Sequence, residues 1–187
     1  MNWDQLAETY LAVAHEVVSG LRDTLETVAD DLANRVGQGH KIMICGNGGS
    51  AADAQHFAAE LVNRFLLERR PYAAMALSTD TSVLTSIAND YGYPAVFAKQ
   101  VQALGVAGDA LIAVSTSGKA PNVLRAVEAA KALDIHTIAL TGGTGGELAT
   151  LADTVLSVSS TTETPRIQEG HGLIIHILCE RIEEILR

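Results

Sequence analysis

Five short apolar runs, at 41–45, 73–77, 109–114, 136–140 and 154–158, alternate with longer stretches of helical periodicity. Strands that are apolar along their whole length are buried on both faces. Alternation with helices then demands a parallel sheet with helices covering either side. The helical stretches are 51–67, 80–88, 93–104, 121–133 and 165–187, with Pro121 near the first turn of its helix. No linker or low-complexity segment divides the chain, so residues 1–187 read as a single α/β domain. Its parts are a helical arm, 1–38, and a sheet core with a closing helix, 39–187. Along the arm, Leu6, Tyr10, Val13, Val17, Leu21, Leu25, Val28, Leu32 and Val36 form one stripe of about nine turns. Gly20 marks a bend or break in it. The stripe either covers its own domain or packs on a partner subunit.

Composition excludes several roles. Apolar residues make up 48% of the chain, enough for a core, while aromatics at 4% are too few for a base-stacking surface. The net charge of −9, without any basic block, argues against nucleic-acid or membrane-surface binding. No run reaches the roughly 18 apolar residues of a membrane span, and residues 1–10 do not resemble a signal peptide. Cys45 and Cys179 form no CxxC and read as core thiols of a reduced, cytoplasmic protein. An anionic ligand would therefore have to be held by local devices.

Four segments carry candidate chemistry. Gly46-Asn-Gly-Gly-Ser50 joins a strand to a helix. It is either an anion-binding turn at a helix N-terminus or a tight turn with Ser50 as the cap. It is neither a Walker A sequence nor GxGxxG. Ser115-Thr-Ser-Gly118 follows the third strand and precedes a helix, where hydroxyls can ring a phosphate or serve as caps. In open α/β sheets ligands bind at such carboxyl ends of strands. His56 and Glu60, four residues apart with Asp53 on the same stripe, share a helix face. They could be two metal ligands, a ligand and a base, or a surface hydrogen bond. Gln168 and His176 lie about 80° apart on the last helix. Its apolar neighbours favour a core role for His176, and His171 reads as structural.

In order, GNGGSAADAQHFAAEL at 46–61, SIANDYG at 86–92, VSTSG at 114–118, LTGGTGG at 140–146 and TPRIQEGHGLIIHILCE at 164–180 resemble the phosphoheptose isomerase family. This is the sedoheptulose 7-phosphate isomerase branch of the sugar isomerase (SIS) superfamily. The resemblance covers the whole chain. Segments 46–61 and 166–180 are its specific part, while VSTSG marks only the wider superfamily. It implies an SIS-type five-stranded parallel sheet and an aldose–ketose isomerisation through an enediol, the first step toward activated heptose. It also implies a cytosolic homotetramer with active sites at subunit contacts, and bound zinc. By position, the metal ligands would be His56, Glu60, Gln168 and His176. Asn47, Gly48, Gly49, Ser50, Glu60, Asn89, Asp90 and Gln168 would touch the sugar, and Ser115, Thr116 and Ser117 the phosphate. Glu60 would be the base and His176 the acid–base partner, with Asp90 or His176 opening the ring. Ala120 stands where many members carry a second serine, and Pro165 where some carry an acid. Three rivals are weighed. An assembly partner of a replication initiator would not need His56, Glu60, Gln168 and His176 together. A sugar-phosphate-sensing regulator would carry a fused DNA-binding module. An isomerase of a shorter sugar phosphate differs only in pocket shape.

Overall fold

The computed structural model describes residues 1–187. Five parallel strands, β1 (Ile42–Gly46), β2 (Ala74–Ala76), β3 (Ala110–Ser115), β4 (His136–Gly142) and β5 (Thr154–Val158), lie in the order β2-β1-β3-β4-β5. The chain runs from β1 outward to β2, then crosses back to place β3 on β1's other side. The strand order therefore reverses between β1 and β3, which pair from Ile42↔Ala110 to Gly46↔Val114. A crevice opens beyond the carboxyl ends of strands at such a point. It falls between the glycine turn and the hydroxyl loop.

Alternate residues of each strand feed opposite layers. Ile42, Ile44, Ile112 and Leu140 pack with α2 (Arg22–Gly37), α3 (Gly49–Val62) and α8 (Thr164–Ile185). Met43, Cys45, Leu111 and Ala113 pack with α5 (Val96–Leu104) and α6 (Pro121–Lys131) on the other side. Helix α4 (Thr81–Tyr91) and the four-residue α7 (Leu148–Leu151) complete the set. Asp80 caps α4 by accepting the Val83 N–H at 3.0 Å, and Asn2 caps α1 (Trp3–His15) in the same way.

The arm covers its own domain over most of its length. From Val13 to Val36 the stripe is buried in its own domain, apart from the partly buried Leu21, whereas Trp3, Tyr10, Leu11 and Val18 remain exposed. Between α1 and α2, residues Glu16–Gly20 widen into a π turn, closed by the Leu21 N–H on the Glu16 carbonyl at 2.9 Å. The Glu16 carboxylate accepts the N–H groups of Ser159 and Ser160, both at 2.9 Å. The bulge thus ties the arm to the segment entering α8.

The helix expected at 51–67 instead spans Gly49–Val62. Phe65, Leu66 and Leu67 continue the apolar rhythm, but their N–H groups go to the Glu183 carboxylate at 2.8, 2.8 and 2.9 Å. Arg69 Nε adds a fourth bond to Glu183 at 2.7 Å. Helix continuation would leave that buried carboxylate short of partners, so the chain turns away. No helix is long and apolar enough to cross a membrane.

Candidate active site

Gly48, at φ +57, turns the chain off β1 into α3. The helix begins at Gly49 with no side-chain cap, which corrects the reading of Ser50 as the N-cap. Ser50 is instead buried within the first turn. The N–H groups of Ser50, Ala51 and Ala52 bond back to the carbonyls of Asn47 and Gly48, so what the helix start offers an anion is mainly the positive end of its dipole. A Cβ at 49 would come within 2.3 Å of Gln168 Nε2 on α8, so a larger residue there would have to displace the Gln168 amide. Across the crevice, Gly118 brings the hydroxyl loop against residues 145–146, where a Cβ would lie 1.8 Å from the Gly145 carbonyl oxygen.

The two loops enclose a cavity of about 350 Å³ lined by Asn47, Gly48, Gly49, Ser50, Val114, Ser115, Thr116, Ser117, Ala120, Thr164 and Gln168. No ionisable side chain lines it. An anion placed there would meet hydroxyls, amides and helix-end dipoles. Val114 and Thr164 lie in the segments that carry the resemblance but receive no role from it, and each belongs to an element that contributes a candidate residue.

His56, Glu60 and His176 form a second cluster. His56 Nε2 lies 3.1 Å from Glu60 Oε1 and 3.3 Å from His176 Nε2, and the two rings meet edge to face at 5.0 Å between centroids. His176 is exposed, so it is not the core histidine that its neighbours suggest. Ile174, Ile175 and Leu178 point inward while His176 stands at the rim against Phe65, 5.4 Å between ring centroids. Neutral imidazole places at most one proton on His56 Nε2, and that proton cannot point at both neighbours. A cation would satisfy all three atoms. Two imidazole nitrogens and a carboxylate are donor types that suit zinc, but no three or more His, Cys, Asp or Glu side chains are placed so as to hold a metal ion.

Gln168 stands away from this cluster. On the helical rise it is about 12 Å along α8 from His176, just as Gly49 is about 10 Å along α3 from His56. The donors thus fall into a cavity group and a rim group. Asn89 and Asp90 join neither. They are exposed at the end of α4, where Asn89 Nδ2 donates to Asp90 Oδ1 at 2.8 Å.

Asp53 is shielded one turn before His56. One carboxylate oxygen is buried without a partner, and burial raises its pKa while His56 opposes the rise. His171 is fully buried, with Nε2 donating to the Thr141 carbonyl at 2.9 Å, and burial pulls its pKa down. It is structural, as its position suggests. Cys45 and Cys179 are buried free thiols, and burial pushes Cys45 up to about 12.

Residues 6–142 match the SIS domain family. The phosphoheptose isomerase of Azoarcus sp. is 50% identical over 187 residues, covering 98% of this chain and 92% of its own. One from Helicobacter pylori is 54% identical over 166 residues, 89% of this chain and 86% of its own. Among solved structures, phosphoheptose isomerase GmhA from Neisseria gonorrhoeae superposes with a TM-score of 0.89 at 46% identity, over 97% of this chain and 96% of that one. A phosphoheptose isomerase from Francisella tularensis gives 0.92 at 38% identity with the same coverage of each chain.

Proposed function

The chain belongs to the phosphoheptose isomerase family of SIS-domain proteins, and we propose that it interconverts sedoheptulose 7-phosphate and D-glycero-D-manno-heptose 7-phosphate, the first step toward activated heptose. The observation that carries this reading is the meeting of His56 and His176, 120 residues apart in sequence, beside Glu60. An assembly scaffold has no use for that convergence, and no observation favours one.

In this reading Ser115, Thr116 and Ser117 hold the phosphate, with the helix start at Gly49 adding positive dipole. The glycine turn and Gln168 flank the sugar. Aldose–ketose exchange moves a proton between C1 and C2 through an enediolate. Glu60 takes the carbon-bound proton and returns it to the adjacent carbon, while His176 moves a proton between the two oxygens. Without a metal bound, His56 orients Glu60 through their hydrogen bond. His56, Glu60 and His176 would hold zinc, which when bound supplies Lewis-acid polarisation of the carbonyl; Gln168, which the resemblance adds to that set, lies with the cavity group and not beside them in a single chain.

The separation of the two donor groups supports a site completed at a subunit contact in a homotetramer. The exposed Trp3, Leu11 and Val18 support it too, as does a groove of Val18, Leu25, Leu173 and Ile177 beside them. Light scattering should then give an assembly rather than a monomer. The two buried, reduced thiols suit the cytosol. The function is tested by incubating the protein with a panel of ketose phosphates and following aldose formation by NMR. Sedoheptulose 7-phosphate should be converted fastest. No aldose from any of them would end the reading, and faster turnover of a pentose or hexose phosphate would move the substrate class.

A further inference from the structure

Asn122 was given no role by the sequence, yet it is 3% exposed and its side chain bonds across the crevice. Its Nδ2 donates to Asn47 Oδ1 at 2.8 Å, and Asn47 Nδ2 donates back to Asn122 Oδ1 at 2.8 Å. Tyr93 also donates its hydroxyl proton to Asn47 Oδ1, at 3.1 Å. Asn47 belongs to the glycine turn after β1. Asn122 sits in the first turn of α6, two residues beyond Ala120 on the cavity wall. The pair thus ties the loop at one end of the proposed substrate to the helix start behind the loop at the other. It also occupies Asn47: with both Oδ1 lone pairs and one N–H in use, its side chain can offer a ligand a single N–H.

We infer that Asn122 is a positioning residue, which holds the glycine turn at a fixed distance from the phosphate loop by its reciprocal bond with Asn47. The inference rests on the function proposed above. A sugar phosphate anchored by its phosphate presents its far carbons correctly only if the sugar-side turn is fixed relative to that anchor. A displacement of about 1 Å there is enough to cost rate on the order of 10²-fold. The reciprocal pair also needs an amide on both sides. A side chain that cannot both donate and accept leaves one half-buried group of Asn47 unpaired.

The test uses the full-length protein and three measurements. In Asn122→Ala, kcat should fall about 10- to 100-fold, while the inhibition constant for inorganic phosphate changes by less than about 3-fold. An unchanged kcat would overturn the inference. So would a kcat loss matched by an equal loss of phosphate affinity, which would make Asn122 an ordinary fold residue. Asn122→Asp supplies the conservative variant. As a carboxylate it only accepts, whereas protonated it donates and accepts like the amide. Its kcat relative to the unsubstituted protein should therefore rise as pH is lowered, and a flat ratio would contradict the pairing. If the unsubstituted protein converts no sugar phosphate, the proposed function falls. Hydrogen exchange then decides the tie separately: faster exchange of the Gly48 and Gly49 amides in Asn122→Ala supports it, and unchanged exchange overturns it.

Discussion

The two ends of the sheet treat their polar groups in opposite ways. At the amino ends of the strands, Asp109 is fully buried and accepts the N–H groups of Lys41 and Val106 at 3.0 and 2.9 Å, together with the Lys41 ammonium. Asp153 accepts the N–H and hydroxyl of Thr137 at 2.9 and 2.7 Å and the Lys131 ammonium at 2.8 Å. Burial pushes its carboxyl up, but the bonds from Lys131 and Thr137 outweigh that and hold it down at about 2. At the carboxyl ends, Ser78 Oγ, Thr141 Oγ1 and His171 Nδ1 are buried without partners; on the helices that run back from those ends, Asp53 keeps a buried oxygen unpartnered and His56 Nε2 faces both Glu60 and His176. Volume does not separate the ends. A cavity of about 350 Å³ also lies at the amino end, among Arg35, Lys131, Asp134, Ile135, His136 and Asp153. Its carboxylates and cations answer one another, as Lys131 does Asp153 and Arg35 does Asp31. Unmet hydrogen-bonding demand distinguishes the groups available for chemistry, because unpaired buried polar groups persist only where something else is gained.

Substitutions among the under-partnered groups and at the amino end should therefore fail differently. The largest effect is expected from His56→Ala combined with His176→Ala. Zinc retained on purification without chelator, read by elemental analysis, should disappear, and turnover should fall by about 10²–10⁴-fold. Zinc content equal to that of the unsubstituted protein would place the ion elsewhere. Next comes Ser117→Ala, which removes one hydrogen bond to a charged group. KM for the sugar phosphate should rise about 10- to 150-fold. An unchanged KM would move the phosphate away from the hydroxyl loop.

The smallest effect belongs to the amino end and touches stability alone. Asp153 ionises at about 2 in the folded chain and near 4 when unfolded. Its stabilisation is thus complete above about pH 4 and is lost as pH falls toward 2. The side chain is 34% exposed, so the contribution after solvent screening is about 1–2 kcal/mol. Asp153→Asn should lower stability to urea at pH 7 by that amount, show a shallower loss between pH 4 and 2, and leave kcat unchanged. A drop in kcat would bring the amino end into the reaction and erase the contrast.

The strands were legible because a buried parallel strand is apolar along its whole length. Each observed strand lies within two residues of its expected bounds. What depends on distant partners was not. The end of α3 is set by Glu183, more than 110 residues away, which no local periodicity encodes. The exposure of His176 was masked by isoleucines on the other side of the same helix. Helix α7, of four residues, is too short to show a period. Asn122 carries no local signal, because its meaning lies in a bond to a residue 75 positions earlier. Among the candidate residues, the glycine turn, the hydroxyl loop and Gln168 meet in one cavity, and the His56–Glu60 face meets His176. Asn89 and Asp90 remain outside both groups in a single chain.

The claim that the under-partnered cluster performs the chemistry rests most heavily on Glu60. In D₂O, the unsubstituted protein should wash deuterium into C1 or C2 of the sugar phosphate. Glu60→Gln, nearly isosteric but unable to take a proton, should keep its fold and bind the sugar phosphate. With zinc content measured alongside, it should fail to exchange the carbon-bound proton, a loss of about 10²–10⁴-fold. Exchange at the unsubstituted rate in the folded, ligand-binding variant would contradict the assignment and pass the role of base to His176.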